Sequence, residues 1–276
     1  MKQNLLFFTL SLFVVLTACK QENKTVEVEK KEISVTKEIS RPAPANGLVG
    51  KMETAHKVAD FYKNEMVSFD LELYFGGKLR LDGTILSATN SGKIKMLKKD
   101  GSSVLFDGEK IWLDSKDSTY KASRARFDIF TWQYFFALPY KLSDKGTKWE
   151  LLGDKKLTDK NYPAGKMTFE SGTGDAPDDW YVVYANEENL ITGAGYIVTF
   201  GGTPAEKAVE SAHAITYSNY EMTNNIPFAT EWGFYNWSEA EGLKGEPIGS
   251  AKVKNIKFLT KEEADFSKPA SATEVM

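Results

Sequence analysis

The sequence has one cysteine and two histidines among 276 residues, and no apolar run approaching the roughly 20 residues that a membrane-spanning helix needs. A lone thiol excludes disulfides and thiolate zinc sites. Gly-x-Ser-x-Gly elbows, His-Glu-x-x-His pairs, P-loops and dinucleotide-binding glycine fingerprints are all missing. An excess of positive charge is missing too. Thirty-five Lys and Arg face 38 Asp and Glu, for a formal net charge of −3, and no basic patch stands out. Nucleic acid is therefore not an expected partner. Neither a cofactor nor a metal is expected, and no catalytic residue stands out.

What is present begins with an export signal. Lys2 supplies a positive start, Leu5 to Leu16 form a short apolar segment, and Thr17-Ala18 bring small residues up to Cys19. This is the three-zone pattern of a secretory signal peptide, assigned to residues 1–18. Leu16-Thr17-Ala18-Cys19 resembles the bacterial lipobox, which implies that the Cys19 thiol carries the lipid and that acyl chains such as palmitate hold the protein to a membrane. Plain secretion with a stray thiol is the alternative. Lys20 stands where an aspartate would resemble an inner-membrane retention signal, so an outer-membrane anchor is expected, on a face left open.

Residues 19–46 interleave both charge signs, contain no aromatic residue and close on Pro42 and Pro44. Such a segment buries too little apolar surface to offset its conformational entropy and reads as a disordered tether, with a reach of about 25–30 Å. Residues 47–260 then read as one domain, and 261–276 as a loose polar tail.

Within the domain the hydrophobic period changes once early. Leu48, Met52, Ala55, Ala59, Tyr62 and Met66 recur at spacings of three and four, predicting a helix from Gly47 to Met66. From Val67 to Phe75 apolar and polar residues alternate until Tyr74, as in a half-buried antiparallel strand. Gly76-Gly77 predicts a hairpin turn, and a second strand from Lys78 to Leu86 should point Leu79, Leu81 and Ile85 to one side. Short strands at Lys93–Lys98, Val104–Phe106 and Lys110–Asp114 continue a meander.

The stretch from Arg126 to Leu138 breaks it. Phe127, Phe130, Tyr134 and Leu138 fall at helical spacing before Pro139, so a helix is expected, apolar on nearly every side and hence buried or covering something. Strands resume near Lys148–Leu152, Lys166–Glu170, Trp180–Ala185, Ala194–Phe200, Ile215–Met222, Glu231–Trp237 and Lys252–Leu259. The count reaches about 11–12, without the strand–helix alternation of a parallel sheet. The fold class is mostly β, with covering helices.

This order of elements resembles the LolA/LppX lipoprotein-carrier fold. The resemblance spans about Gly47 to Leu259. It rests on the hairpin Asp107-Gly108-Glu109-Lys110-Ile111-Trp112 and on the aromatic helical insertion. The strings Tyr134-Phe135-Phe136-Ala137-Leu138-Pro139-Tyr140 and Gly174-Asp175-Ala176-Pro177-Asp178-Asp179-Trp180-Tyr181 are in addition similar to an uncharacterised lipoprotein family of that fold. It implies an antiparallel half-barrel with an N-terminal helix and an aromatic helical lid over an apolar cavity. The expected lining is Phe69, Leu71, Phe75, Leu81, Trp112, Phe127, Phe130, Tyr134 and Phe135. An ordinary filled core made of the same side chains is the competing reading.

His56 is expected at the surface or its boundary, His213 as hydrogen-bonded structure, and the loop Asp175 to Asp179 as a solvated turn rather than a calcium site. Three functions compete: an anchored lipoprotein that binds a lipid or other hydrophobic molecule as carrier, acceptor or sensor; a non-catalytic module that docks protein or glycan; and a hydrolase with an unrecognised site. Cavity volume separates the first two.

Overall fold

The computed structural model describes residues 47–275. The signal peptide, Cys19 and the tether lie outside the described residues. The chain enters through two short helices, α1 (Leu48–Ala55) and α2 (Val58–Phe61). The single helix expected up to Met66 is broken because Lys57 adopts a left-handed conformation, φ 55°. The break lets α2 turn Phe61 onto Tyr140, with ring centroids 3.8 Å apart and nearly parallel. Met66 instead begins the first strand.

Thirteen strands follow. The first group is β1 (Met66–Phe75), β2 (Lys78–Ala88), β3 (Ile94–Lys98), β4 (Ser103–Phe106) and β5 (Ile111–Asp114). The second is β6 (Thr147–Lys156), β7 (Asn161–Phe169), β8 (Tyr181–Ala185), β9 (Ile191–Tyr196), β10 (His213–Thr223), β11 (Ile226–Ser238) and β12 (Gly242–Leu259), and β13 (Thr273–Val275) comes last. Their order in space is β13-β5-β4-β3-β2-β1-β12-β11-β10-β9-β8-β7-β6. Every neighbouring pair is antiparallel. The sheet is open, with β13 and β6 at its two edges.

This order means two meanders meeting at β1. One runs from β1 outward to β5, and the other runs from the far edge, β6, back to β12. The helix α3 (Ala122–Ala137) connects them, so it has to carry the chain from one side of the sheet to the other. It does so across the inner face. Phe136 stacks on Phe69 of β1 at 3.9 Å and on Phe228 of β11 at 5.4 Å, while Phe135 meets Tyr196 of β9 at 5.0 Å. Such ring pairs add about 0.5–1.5 kcal/mol each beyond the burial of their area. The helix begins four residues earlier than the spacing predicts and ends on the predicted proline, which sits in the 3-10 turn Leu138–Tyr140.

Alternation in β1 is borne out: Val67, Phe69, Leu71 and Leu73 are buried in the inner core. The glycine turn is too, since Gly76 and Gly77 both take positive φ, 55° and 73°. Leu79 departs from expectation. It is 55% exposed, because the pairing of β1 with β2 slips between Leu73 and Tyr74, leaving Arg80 as the extra residue of a bulge. The bulge turns Leu79 outward and aims Arg80 at α3.

The outer face carries two smaller apolar clusters. In one, Ala208 and Ala212, from the segment holding α4 (Ala205–Ala208), pack on Val182, Tyr184 and Trp237. In the other, Ala264 and Phe266 cover Met66, Leu86 and Ala88. Of the expected loose tail 261–276, the described residues 261–275 are packed. Lys95, a buried lysine, donates to the carbonyls of Asp265 and Ser267, both at 3.1 Å, and to the Asp265 carboxylate at 3.0 Å. That clasp leads the chain to β13, which pairs with β5 and buries Val275.

Candidate functional site

The helix α3 is apolar all round because two of its faces are occupied. Ala125, Ile129, Trp132 and Phe136 recur at spacings of three and four and are buried. Phe127, Phe130 and Tyr134 recur on another stripe and are only partly buried. This second stripe faces a cavity of about 770 Å³, within the range of small-molecule pockets, about 300–1,000 Å³. The opposite wall comes from the sheet, Phe75, Phe169, Tyr181, Tyr196 and His213, and from Val198 just beyond β9. Tyr181, Tyr196 and His213 are direct cross-strand partners on β8, β9 and β10. Their rings form a ladder with centroids 6.1 and 6.2 Å apart.

Five of the nine predicted lining residues meet at this cavity: Phe75, Phe127, Phe130, Tyr134 and Phe135. Phe69, Leu71 and Leu81 do not. They are fully buried beneath α3, where Phe136 fills the space above Phe69. Trp112 does not either, because Ile111 and Leu113 join the inner core and alternation sends their neighbour outward. There its indole N–H donates to Asp107 at 2.7 Å and Lys268 lies over its ring at 3.9 Å.

The loop between β7 and β8 is tied to α3 at the rim. Arg126 grips the Asp175 carboxylate with two donors, Nε to Oδ2 at 3.2 Å and Nη2 to Oδ1. Asp179 also lines the cavity but accepts from the Thr199 N–H and hydroxyl, both at 2.7 Å. Burial nonetheless pushes its carboxyl upward. On another side Lys141 pairs with Asp144 at 2.9 Å. Two of the strings that carry the resemblance thus frame the cavity. The third is a turn, in which Asp107 accepts the N–H groups of Glu109 and Lys110 and the Trp112 indole; those donors hold its carboxyl at about 2.

Sequence reasoning missed the charged end of the site. Asp128, on the buried side of α3, has no exposed surface and accepts from Arg80 and Trp132 at 3.0 Å and from Tyr120 at 3.2 Å. Burial pushes its carboxyl above the usual range, against the pull of Arg124. Arg80 and Arg124 both line the cavity. The available signal was Arg124-Ala125-Arg126, two cations opening an otherwise apolar helix.

His56 is not at the surface. It is fully buried, its Nε2 accepts the Ile191 N–H at 2.9 Å, and it lies outside the cavity. His213 does line the cavity, and burial lowers its pKa. Among the described residues no cluster of His, Cys, Asp and Glu has the makings of a metal site, and no helix is long and apolar enough to cross a membrane.

Neither protein-family models nor curated proteins give a match to this chain. Among solved structures it is similar to a LolA superfamily protein from Nitrosomonas europaea, at 12% identity and a TM-score of 0.47, over 75% of this chain and 93% of that one. It is similar also to a DUF1329 family protein from Desulfovibrio piger, at 11% and 0.41, over 79% and 94%. The lipoprotein LppX from Mycobacterium tuberculosis aligns at 11% and 0.24, over 54% and 88%. LolA and LppX are also the names of the fold that the order of elements resembles; at these identities and TM-scores the likenesses carry no argument about ligand or activity.

Proposed function

We propose that the chain is a membrane-anchored envelope lipoprotein that takes a hydrophobic molecule into the cavity between α3 and the sheet, as carrier, acceptor or sensor. One observation supports this reading above the others: an unfilled space of about 770 Å³ faced by the stripe Phe127, Phe130 and Tyr134. Aromatic walls of this kind favour apolar ligands because every buried methylene contributes about 0.8 kcal/mol. The docking-module reading requires the same side chains to close on each other, and at this volume they do not. The anchor through Cys19 and the outer-membrane location belong to the proposal. So does the absence of catalysis, which is supported by the engagement of Asp179 with Thr199 and by the lack of a Ser or Cys hydrogen-bonded to His213 among the described residues.

Native mass spectrometry of the purified chain should reveal a co-purified apolar molecule. Phe130→Asp, which sets a carboxylate into the cavity wall, should release it while circular dichroism remains that of a folded protein. A folded variant that retains the molecule refutes a site beneath α3.

A further inference from the structure

The cavity is apolar in its walls but not neutral at one end. Five cationic side chains and three carboxylates line it. Two pairs neutralise each other, Arg126 with Asp175 and Lys141 with Asp144, while Lys145 and Asp179 form no ion pair among the described residues and Asp179 is bonded to Thr199. Arg80 and Arg124 share a single carboxylate, Asp128, behind the wall. That carboxylate already accepts from Arg80, Trp132 and Tyr120. Arg124 gets only proximity from it: Nε lies 3.3 Å from Asp128 Oδ1 without the geometry of a hydrogen bond, and Nε is buried with no acceptor among the described residues. A guanidinium carries five donors in a fixed fork suited to carboxylates. Here one such fork opens on an aromatic cavity with no hydrogen-bond acceptor among the described residues, in a chain whose net charge is −3.

The Arg124 side chain is 42% exposed, and a purely hydrocarbon ligand seated against it would take away part of that hydration and supply no acceptor, which is costly. A ligand with an anionic head would supply one. We infer that the cavity selects a single-chain amphiphile with a monoanionic head, of the long-chain carboxylate class, with the head on Arg124 beside Arg80 and the chain along Phe127 and Phe130. One acyl chain suits the volume, and one negative charge matches the one cation that Asp128 leaves unneutralised. Arg80 is the less available of the two, because the bulge in β2 delivers it to Asp128. This inference rests on the hydrophobic-ligand reading above.

Binding of cis-parinarate and of its methyl ester to the full-length chain, stripped of co-purified lipid, tests the inference apart from that reading. The two probes share a chain and differ in charge. The wild type should prefer the acid by about fivefold or more, as a charge-assisted hydrogen bond to a partly exposed guanidinium implies. Arg124→Gln should bring the two within about twofold by weakening the acid and leaving the ester unchanged, and Arg124→Lys should restore part of the preference. Equal binding of acid and ester by the wild type refutes the anionic head and leaves the cavity reading standing. An undiminished preference in folded Arg124→Gln refutes Arg124 as its holder. Binding of neither probe refutes both readings together.

Discussion

Lowering the pH sets the core around His56 against the proton affinity of the unfolded chain. The ring is fully buried between Tyr140 and Tyr220, at 6.2 and 5.7 Å. Its Nε2 accepts from Ile191, which leaves the proton of the neutral ring on Nδ1, a buried atom with no partner among the described residues. Burial pushes the pKa from 6.5 down to about 3. The unfolded chain therefore binds a proton in a window where the native state does not. Stability is complete above about pH 6.5 and falls as the pH drops, with a slope near 1.4 kcal/mol per unit. By about pH 4.5 the loss is on the order of 2.5–3 kcal/mol, a large part of a typical domain's 5–15 kcal/mol. Denaturant titrations between pH 7.5 and 4.5 measure it, as illustrative end points on either side of the usual histidine range. His56→Gln keeps an acceptor for the Ile191 N–H but cannot titrate, so its slope should be smaller by about one proton. His213, present in both proteins, cancels in the difference. Equal slopes for the two proteins, or an imidazole at position 56 that titrates near 6.5 in the folded state, would refute the reasoning.

Cys19→Ser should accumulate unprocessed precursor and take up no fatty-acid label; normal maturation of that variant ends the lipoprotein reading. Ending the chain at Ser271 removes β13 and the burial of Val275, and should cost about 2–3 kcal/mol in urea unfolding. A truncated protein as stable as the full chain would return residues 272–276 to the status of a loose tail. Tyr134→Phe removes a buried hydroxyl that has no partner among the described residues, so stability should stay level or rise by about 1 kcal/mol. A loss above about 1 kcal/mol would mean that the hydroxyl is satisfied.

How far the fold could be read from the residues depended on whether the signal was local. Alternation along β1, the Gly76-Gly77 turn and the spacing of Phe127, Phe130 and Tyr134 are short-range patterns, and each gave the right element. The cavity stripe on α3 was legible for the same reason. Depth was not. Phe69, Leu71 and Leu81 carry the same pattern as Phe75, and only the path of α3 decides which of them it covers. The partnership of Tyr181, Tyr196 and His213 depends on the register of β9 with both β8 and β10, which no local pattern specifies. Leu79 was misread because one extra residue reverses the faces beyond it, and the same slip brought Arg80 to the site. His56 went unrecognised because its acceptor role belongs to a backbone N–H on β9. Residues 261–276 lack apolar periodicity, and the stretch around Asp265 and Ser267 is held instead by Lys95, a buried charge about 170 residues away in sequence.

The connectivity also bears on how a ligand enters. α3 is the covalent link between two meanders, its buried stripe is stacked on β1 and β11, and Tyr140 just beyond it donates to the carbonyl of Pro227 at 3.0 Å. Lifting the whole helix would unstack Phe136 from both halves of the sheet at once, so opening by rotation of α3 is disfavoured. The loop between β7 and β8 is held differently. It is tied to α3 by Arg126 and Asp175, whose side chains are 37% and 25% exposed, and a pair with that access to water contributes on the order of 1 kcal/mol or less. Breaking it costs far less than withdrawing two stacked aromatic rings from the core, each worth about 1.5–3 kcal/mol of burial. If the cavity takes a ligand as proposed, the part of this loop around Asp175 is the cheaper element to move, while Asp179 stays bonded to Thr199. On the proposed function, weakening the rim pair with Arg126→Gln should speed exchange of a bound probe without changing the Arg124-dependent preference, and an unchanged exchange rate would refute this route.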